Sequence, residues 1–225
     1  QIVDLVDELT ADTAEDQVAL RSGERYVARL APPESDSTDY CTLPDAPNFR
    51  LVADGSDGLG GLRFESLDRR EPAEGEVEIQ VATTGLNFRD LLQAMGLLAS
   101  DYAASLGLNV SQGPLFGFEC SGTVSRLGAG VDQFKVGESV IAGVTADGLR
   151  PFVTVDARSV ISKPDKLTFA EAATLPTAFM TAYYGLCELA QLQAGDRVLI
   201  HAAAGGVGSA AVQLAVSRGA EVFAT

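Results

Sequence analysis

From Val198 the chain reads Val-Leu-Ile, then His201-Ala202-Ala203-Ala204-Gly205-Gly206, then a run with Val207, Ala211, Leu214 and Ala215 at helical spacing. No other stretch restricts the possible folds so severely. The short, largely β-branched apolar run predicts a strand buried on both faces. The loop behind it has almost no side chains, so a ligand can approach its backbone closely. A helix is predicted over 207–218 with Gly219 as its stop, and 220–225 begin a second strand. Strand, bare loop, helix and strand make a βαβ unit. There the first helical N–H groups and the positive end of the helix dipole are offered to a phosphate. The pattern G-x-G-x-x-G is met with Ala203 in its first place, then Gly205 and Gly208. With a strand before it and a helix after it, the loop reads as a dinucleotide site. Ala204, Gly205, Gly206, Val207 and Gly208 are then the residues facing the pyrophosphate.

Net charge sharpens this reading. At −15 the chain disfavours nucleic acid and anionic membranes as partners, and its overall field repels an anionic dinucleotide too. Attraction has to be local, from the helix dipole, backbone N–H groups and a few placed Arg or Lys. No stretch approaches the roughly 20 unbroken apolar residues of a membrane span. Cys41, Cys120 and Cys187 lie far apart and form no C-x-x-C, which excludes a zinc ribbon and fits a reducing, cytoplasmic setting. The chain opens Gln1-Ile2-Val3-Asp4, without Met or a basic-then-apolar leader, which predicts a piece of something longer.

Upstream, the texture changes several times. Residues 1–31 read as a small unit: Ile2, Val3, Leu5, Val6 and Leu9 suggest the end of a helix. Then 17–21 and 25–29 alternate around Ser22-Gly23 as a hairpin does. Residues 32–46, rich in Pro, Asp and Ser, read as a linker. Over 47–167, short strands between Gly and Pro turns (77–81, 121–128, 136–143 and 151–155) suggest a compact β-barrel. One helical interruption runs from Phe88 to about Leu98, with Leu91, Leu92 and Met95 on one face. Over 168–225, Thr168 and Glu171 form a capping box, and a second helix runs from about Pro176 to Leu192. Tyr183 and Tyr184 share that helix, so at least one is expected in the core.

A small barrel followed by a dinucleotide fold resembles the medium-chain dehydrogenase/reductase superfamily. Its zinc branch carries a Cys in the loop after an early strand and a Gly-His-Glu on a later turn. The equivalent segments here read Gly85-Leu86-Asn87-Phe88-Arg89-Asp90 and Gly117-Phe118-Glu119, with Phe88 and Phe118 where ligands would be sought. His201, the single histidine, cannot form a zinc site alone. No metal is expected. The segments GLNFRDLLQAMG (85–96), PTAFMTAYYGL (176–186) and HAAAGGVGSAAVQLA (201–215) resemble the enoylreductase domain of modular polyketide synthases and animal-type fatty acid synthases. Residues 17–31 resemble the end of the ketoreductase structural subdomain that precedes it.

The resemblance implies an α/β fold with a β-rich domain: a GroES-like β-barrel followed by the start of a Rossmann-type dinucleotide-binding domain that continues beyond Thr225. It implies NADPH as cofactor and an acyl carrier protein bearing a phosphopantetheine-bound enoyl chain as partner, with ketoreductase and dehydratase domains as neighbours. The family's Lys and Asp proton donors fall beyond Thr225, so this stretch alone is expected to be an incomplete catalyst. In the matching motif Thr181 lies near the nicotinamide, although an ordinary helical Thr fits the sequence as well. Asn87 is a candidate for positioning cofactor or substrate. Arg89 and Asp90 read as a structural pair, and Glu119 as a turn or network residue. Many relatives carry a Tyr, tied to α-protonation, where Leu98 stands here. Tyr102, in the long stretch 99–114, either takes over as catalytic acid or packs that loop. A free-standing quinone or alkenal reductase, a cyclopropane-forming sister enzyme and a non-catalytic scaffold are the alternatives.

Overall fold

In the computed structural model, residues 8, 10, 18–22, 24–27, 41–53, 58–97, 115–143 and 147–225 are described. The chain divides into two units, 1–40 and 41–225. In the first, β1 (Val18–Arg21) and β2 (Glu24–Val27) form the expected antiparallel hairpin, with Val18 opposite Val27. Of the predicted N-terminal helix, Glu8 and Thr10 are helical, and Glu8 accepts two hydrogen bonds from the Arg25 guanidinium.

The second unit begins with the hairpin β3 (Phe49–Ala53) and β4 (Leu62–Ser66), held edge-to-face by Phe49 and Phe64 at 5.3 Å. The main sheet is antiparallel throughout, built from β5 (Glu76–Gly85), β6 (Glu119–Leu127), β7 (Ser139–Gly143), β8 (Phe152–Asp156) and β9 (Val160–Ser162). Its order is β8-β5-β6-β7-β9. Register shifts at Glu78/Ile79 and Val81/Thr83 bend the β5–β6 pair, as bulges do. Buried Asn48 joins hairpin to sheet, its Oδ1 accepting from Phe152 N at 3.2 Å. Val77, Ile79, Cys120, Val124, Val140 and Val153 form the centre of the core.

Sequence alternation misplaces one residue. Alternation along Val77-Glu78-Ile79-Gln80-Val81 would put Glu78 on the solvent side of β5, yet it is 1% exposed. It is tolerated there because Arg69, Arg126 and Ser125 all donate to its carboxylate, and Arg69 also lies over the Phe152 ring at 3.7 Å.

Helix α1 (Phe88–Ala94) is shorter than its apolar spacing suggests, because Met95 and Gly96 (φ +66°) turn the chain out of it. Its inward face is also not the expected one. Asp90, Gln93 and Ala94 are buried, while Leu91 and Met95 are 42% and 48% exposed. Polar bonds decide this: Asp90 accepts from Gly117 N, and Gln93 donates to Leu115 O.

Next come α2 (Phe169–Ala173) and α3 (Pro176–Tyr183). The capping box is present at α2: Thr168 Oγ1 accepts from Glu171 N, and Glu171 Oε2 accepts from Thr168 N at 2.8 Å. Pro176 opens α3 in the first-turn position that proline tolerates. Beyond Tyr183 the predicted helix continues as a π-helix over Tyr184–Leu189. Neither tyrosine joins the core: Tyr183 is 44% and Tyr184 59% exposed, with Arg218 over the Tyr183 ring.

The βαβ unit forms as expected, from β10 (Arg197–Ile200), α4 (Gly206–Ser217) and β11 (Glu221–Ala224). The strands are parallel, and Gly219 lies at φ +78° after the helix. Ala182 of α3 packs with Ala210, Ala211 and Ala215 of α4 and with Ile200. The strand expected to be dry on both faces is dry on one: Leu199 is 57% exposed, as its register partner Phe223 on β11 is to 48%. Successive strand residues face opposite ways, and α3 and α4 cover the Ile200 side.

Candidate cofactor and substrate site

The bare loop is shaped by backbone. Ala202 takes φ +51°, its carbonyl accepts from Gly205 N at 2.9 Å, and Ala203 N donates to Thr225 O at 3.0 Å. His201 Nδ1 stands 3.1 Å from Thr225 Oγ1, so the loop is strapped to the end of β11 at two points. A Cβ added at Gly208 would collide with Ala202 O and come within 2.7 Å of Ala203 Cα; glycine there is a packing requirement. A Cβ added at Gly206 meets nothing within 4 Å. Ala204, Gly205, Gly206 and Val207 are exposed, and no side chain caps α4. An uncapped helix start, opening on glycine toward free space, fits a pyrophosphate: the N–H donors are unobstructed and nothing prevents close approach.

On the other side of α3, the two segments flagged in sequence come together. Asp90 Oδ2 accepts from Asn87 N and Asp90 Oδ1 from Gly117 N, both at 2.8 Å, so one buried carboxylate ties the α1 turn to the turn preceding β6. Asp90 thus binds two backbone N–H groups, and the Arg89 guanidinium lies over the Phe118 ring at 3.9 Å. Past that turn, Asn87 Nδ2 donates to Glu119 Oε1 at 3.0 Å and Thr177 N donates to Glu119 Oε2 at 2.8 Å. Glu119 is 4% exposed, and Thr177 is in the first turn of α3. A carboxylate at a helix N-terminus suits both the free N–H and the dipole. Here it is supplied by a strand 58 residues away in sequence.

Thr181 is four residues after Thr177, so the two share a face of α3, about 6 Å apart along its axis. Thr181 is exposed. Asn87, Glu119 and the first turn of α3 therefore belong to one hydrogen-bonded assembly, and α4 packs on α3 through Ala182. Glycines permit the close fit. A Cβ on Gly85 would come within 2.6 Å of Ala173 O and of Glu119, and one on Gly143 within 2.9 Å of Met180 Cε and 3.1 Å of Pro176 Cβ.

Two apolar hollows flank the assembly. One, of about 280 Å³, has Asn87 in its wall with Leu86, Leu91, Phe116 and Leu149. The other, of about 610 Å³, lies between β7, β9 and α3, lined by Ile141, Ile161, Pro176, Phe179 and Met180. Burial and, secondarily, the Glu119 charge push the Cys120 thiol up to about 12, which makes it a core residue and not a nucleophile. Among the described residues no group of three His, Cys, Asp or Glu side chains converges as a metal site would require.

Of the residues singled out in sequence, Gly205, Gly206, Val207 and Gly208 form the loop and helix start as expected. Asn87 meets Glu119, and Thr181 faces outward on α3. Leu98 and Tyr102 lie outside the described residues. Sequence reasoning missed Thr177, whose contribution is a backbone N–H, and read Asp90 as structural without its Asn87 partner, although their spacing of three was a usable signal.

Residues 73–181 match the family of alcohol dehydrogenase GroES-like domains. Over 223 residues the chain is 40% identical to a mycocerosic acid synthase-like polyketide synthase of Mycobacterium tuberculosis, covering 97% of this chain and 10% of that one. Among solved structures it is similar to the CurK enoyl reductase, with TM-score 0.74 and 47% identity over 79% of this chain and 54% of that one. It is also similar to the CurF ER cyclopropanase from the curacin A biosynthetic pathway, with TM-score 0.69 and 39% identity over 79% and 54%. The chain thus spans about a tenth of the synthase and about half of each solved structure.

Proposed function

Because this chain belongs to the medium-chain dehydrogenase/reductase superfamily, whose cofactor is a nicotinamide dinucleotide, we propose that it is the enoylreductase part of a cytoplasmic polyketide synthase. The reaction is reduction of a carrier-bound α,β-enoyl thioester to the saturated acyl thioester. The observation that carries this reading is the uncapped glycine start of α4, a helix packed on α3, together with the buried Glu119 carboxylate that ties the first turn of α3 to Asn87.

Bound NADPH supplies a hydride to the β-carbon of the enoyl thioester. The remaining tasks fall to the chain. Gly205, Gly206, Val207 and Gly208 hold the pyrophosphate through backbone N–H groups. Thr181, exposed on α3, faces the nicotinamide end. Negative charge develops on the thioester oxygen as the β-carbon is reduced, preoriented N–H donors stabilise it, and a proton added at the α-carbon turns the enolate into the saturated thioester. Asn87 uses one of its two Nδ2 hydrogens on Glu119, which leaves the other to be aimed at that oxygen. The apolar hollow with Asn87 in its wall suits the acyl chain and keeps water from the reacting carbons. The acyl carrier protein delivers the substrate, and ketoreductase and dehydratase domains of the same synthase produce it.

Purified full-length protein incubated with crotonyl thioester should oxidise NADPH, and NADH much more slowly, with butyryl thioester as product. Absence of turnover with any enoyl thioester, carrier-bound or free, would sink the reading. Ring closure on a substrate bearing a halogen leaving group, with no reduction of the unhalogenated one, would move the chain to the cyclopropanase side.

A further inference from the structure

We propose that Glu119 is a positioning residue: by bonding the Asn87 amide and the first turn of α3 together, it sets where the substrate-facing donor stands relative to α3, the helix against which α4 packs. The inference rests on the enoylreductase reading, and deepens it by naming what aligns the two halves of that site.

Three observations carry it. First, both Glu119 oxygens are engaged as acceptors, one by a side chain of the α1 turn and one by the Thr177 backbone of α3. Second, an acceptor facing Asn87 fixes which end of that amide turns inward. Nδ2 must face Glu119, so the orientation of its second N–H is decided by Glu119 and not by Asn87 itself. Third, the carboxylate has no room to relax. Gly85 leaves its Cγ and Oε1 a space that a Cβ would invade to within 2.6 Å, and Gly143, its register partner on β7, lets Met180 and Pro176 close down on the strand. Asp90 completes the frame by fixing both the Asn87 and Gly117 backbones. A carboxylate in so confined a place, bonded to two elements that carry opposite parts of the site, transmits any shift of one to the other.

Glu119→Gln tests this with little change of volume. The amide can satisfy one of the two donors with its oxygen, while its NH2 group meets the other donor head-on. In the full-length protein, kcat for the enoyl thioester should fall at least about 10-fold while KM for NADPH changes by less than about 3-fold, since only alignment in the transition state is lost. The Thr177 amide should exchange with deuterium at least about 10-fold faster, because its acceptor is compromised. Asn87→Ala should lower kcat to a similar level and leave Thr177 exchange unaltered. The double variant should be no more than about 3-fold worse than Glu119→Gln alone, as residues acting in series are not additive. Unchanged kcat in Glu119→Gln, equal losses in kcat and NADPH binding, or fully additive effects would each overturn the proposal. If Glu119→Gln does not fold, the Asn87→Ala arm decides. Full activity there overturns the proposal, and lost kcat with wild-type Thr177 exchange supports it. Wild-type protein without turnover defeats the enoylreductase reading, and Thr177 exchange still reports on the joint by itself.

Discussion

Met180 sits over Gly143 so closely that a Cβ on the glycine would come within 2.9 Å of the methionine Cε. Met180 is flexible, but Pro176 Cβ, 3.1 Å from the same point, begins a helix and cannot yield as easily. Gly143→Val should therefore destabilise the protein by about 1–3 kcal/mol, the usual cost of overpacking. Pairing it with Met180→Ala should recover only part of the loss. Thermal denaturation of the two variants and their combination measures both; full recovery in the pair would show that Pro176 does not resist.

Gly206 and Gly208 should respond in opposite ways to the same substitution. Gly208→Ala forces a methyl group onto Ala202 and Ala203 backbone, so melting temperature should drop and cofactor binding should fall with it. Gly206 faces open space, so Gly206→Val should melt within a few degrees of wild type yet bind NADPH at least about 10-fold more weakly, since its side chain occupies the approach to the helix N-terminus. A fluorescence titration beside a melting curve separates the two, and wild-type affinity in Gly206→Val would remove the loop from the cofactor site.

Acid should act through Glu78. Burial pushes its carboxyl up, but hydrogen bonds from Arg126, Arg69 and Ser125 outweigh that and bring it down from the usual 4.5 to about 2. A group held below its unfolded value stabilises the fold above that value and loses the contribution as pH falls through the folded one. Melting temperature should thus be flat above about pH 5 and decline from there toward about pH 2. Glu78→Gln should lower the plateau and flatten the decline, because two guanidinium groups lose their buried partner. Asp156→Asn, which breaks an exposed pair with Arg158, should alter the curve little. A plateau unchanged in Glu78→Gln would contradict this.

Chelators should leave activity unchanged. Where metal ligands would be sought stand Phe88, which is exposed, and Phe118, which carries the Arg89 guanidinium on its face, while the adjacent Asn87 and Glu119 are bonded to each other. Neither Glu119 oxygen is free of a donor. Activity and metal content after dialysis against EDTA provide the check; loss of both together would mean that this network opens to hold an ion.

The parts of this fold legible in sequence were those written in local chemistry. The βαβ unit follows from a β-branched run, a glycine loop and helical spacing, all within 198–225. The Thr168–Glu171 cap lies within four residues. What stayed hidden depends on distant partners. Leu91 and Met95 look like the inner face of α1 until Asp90 and Gln93 find backbone partners at Gly117 and Leu115. Glu78 looks solvated until Arg69 and Arg126 are brought alongside it. Asn87 and Glu119 could be suspected separately, but their joint role runs through the Thr177 N–H, and a backbone donor leaves no mark in a sequence.

The π-helical turn after α3 acts as a phase shifter. Ala190 N bonds to Gly185 O and Leu192 N to Leu186 O, so the backbone there accommodates more residues per turn than an α-helix does. Each residue gained turns the following side chains by about 100° relative to an uninterrupted helix. Leu186 and Leu192 both reach the core around Ala182 and Ala211 in this arrangement. Deleting one residue from 184–189 would let the segment wind back into α form and rotate Leu192 away from that core. The length of this turn is therefore as tightly set as any side chain in it: an exchange of Tyr184 or Leu189, both exposed, is tolerable, whereas a change in residue count is not.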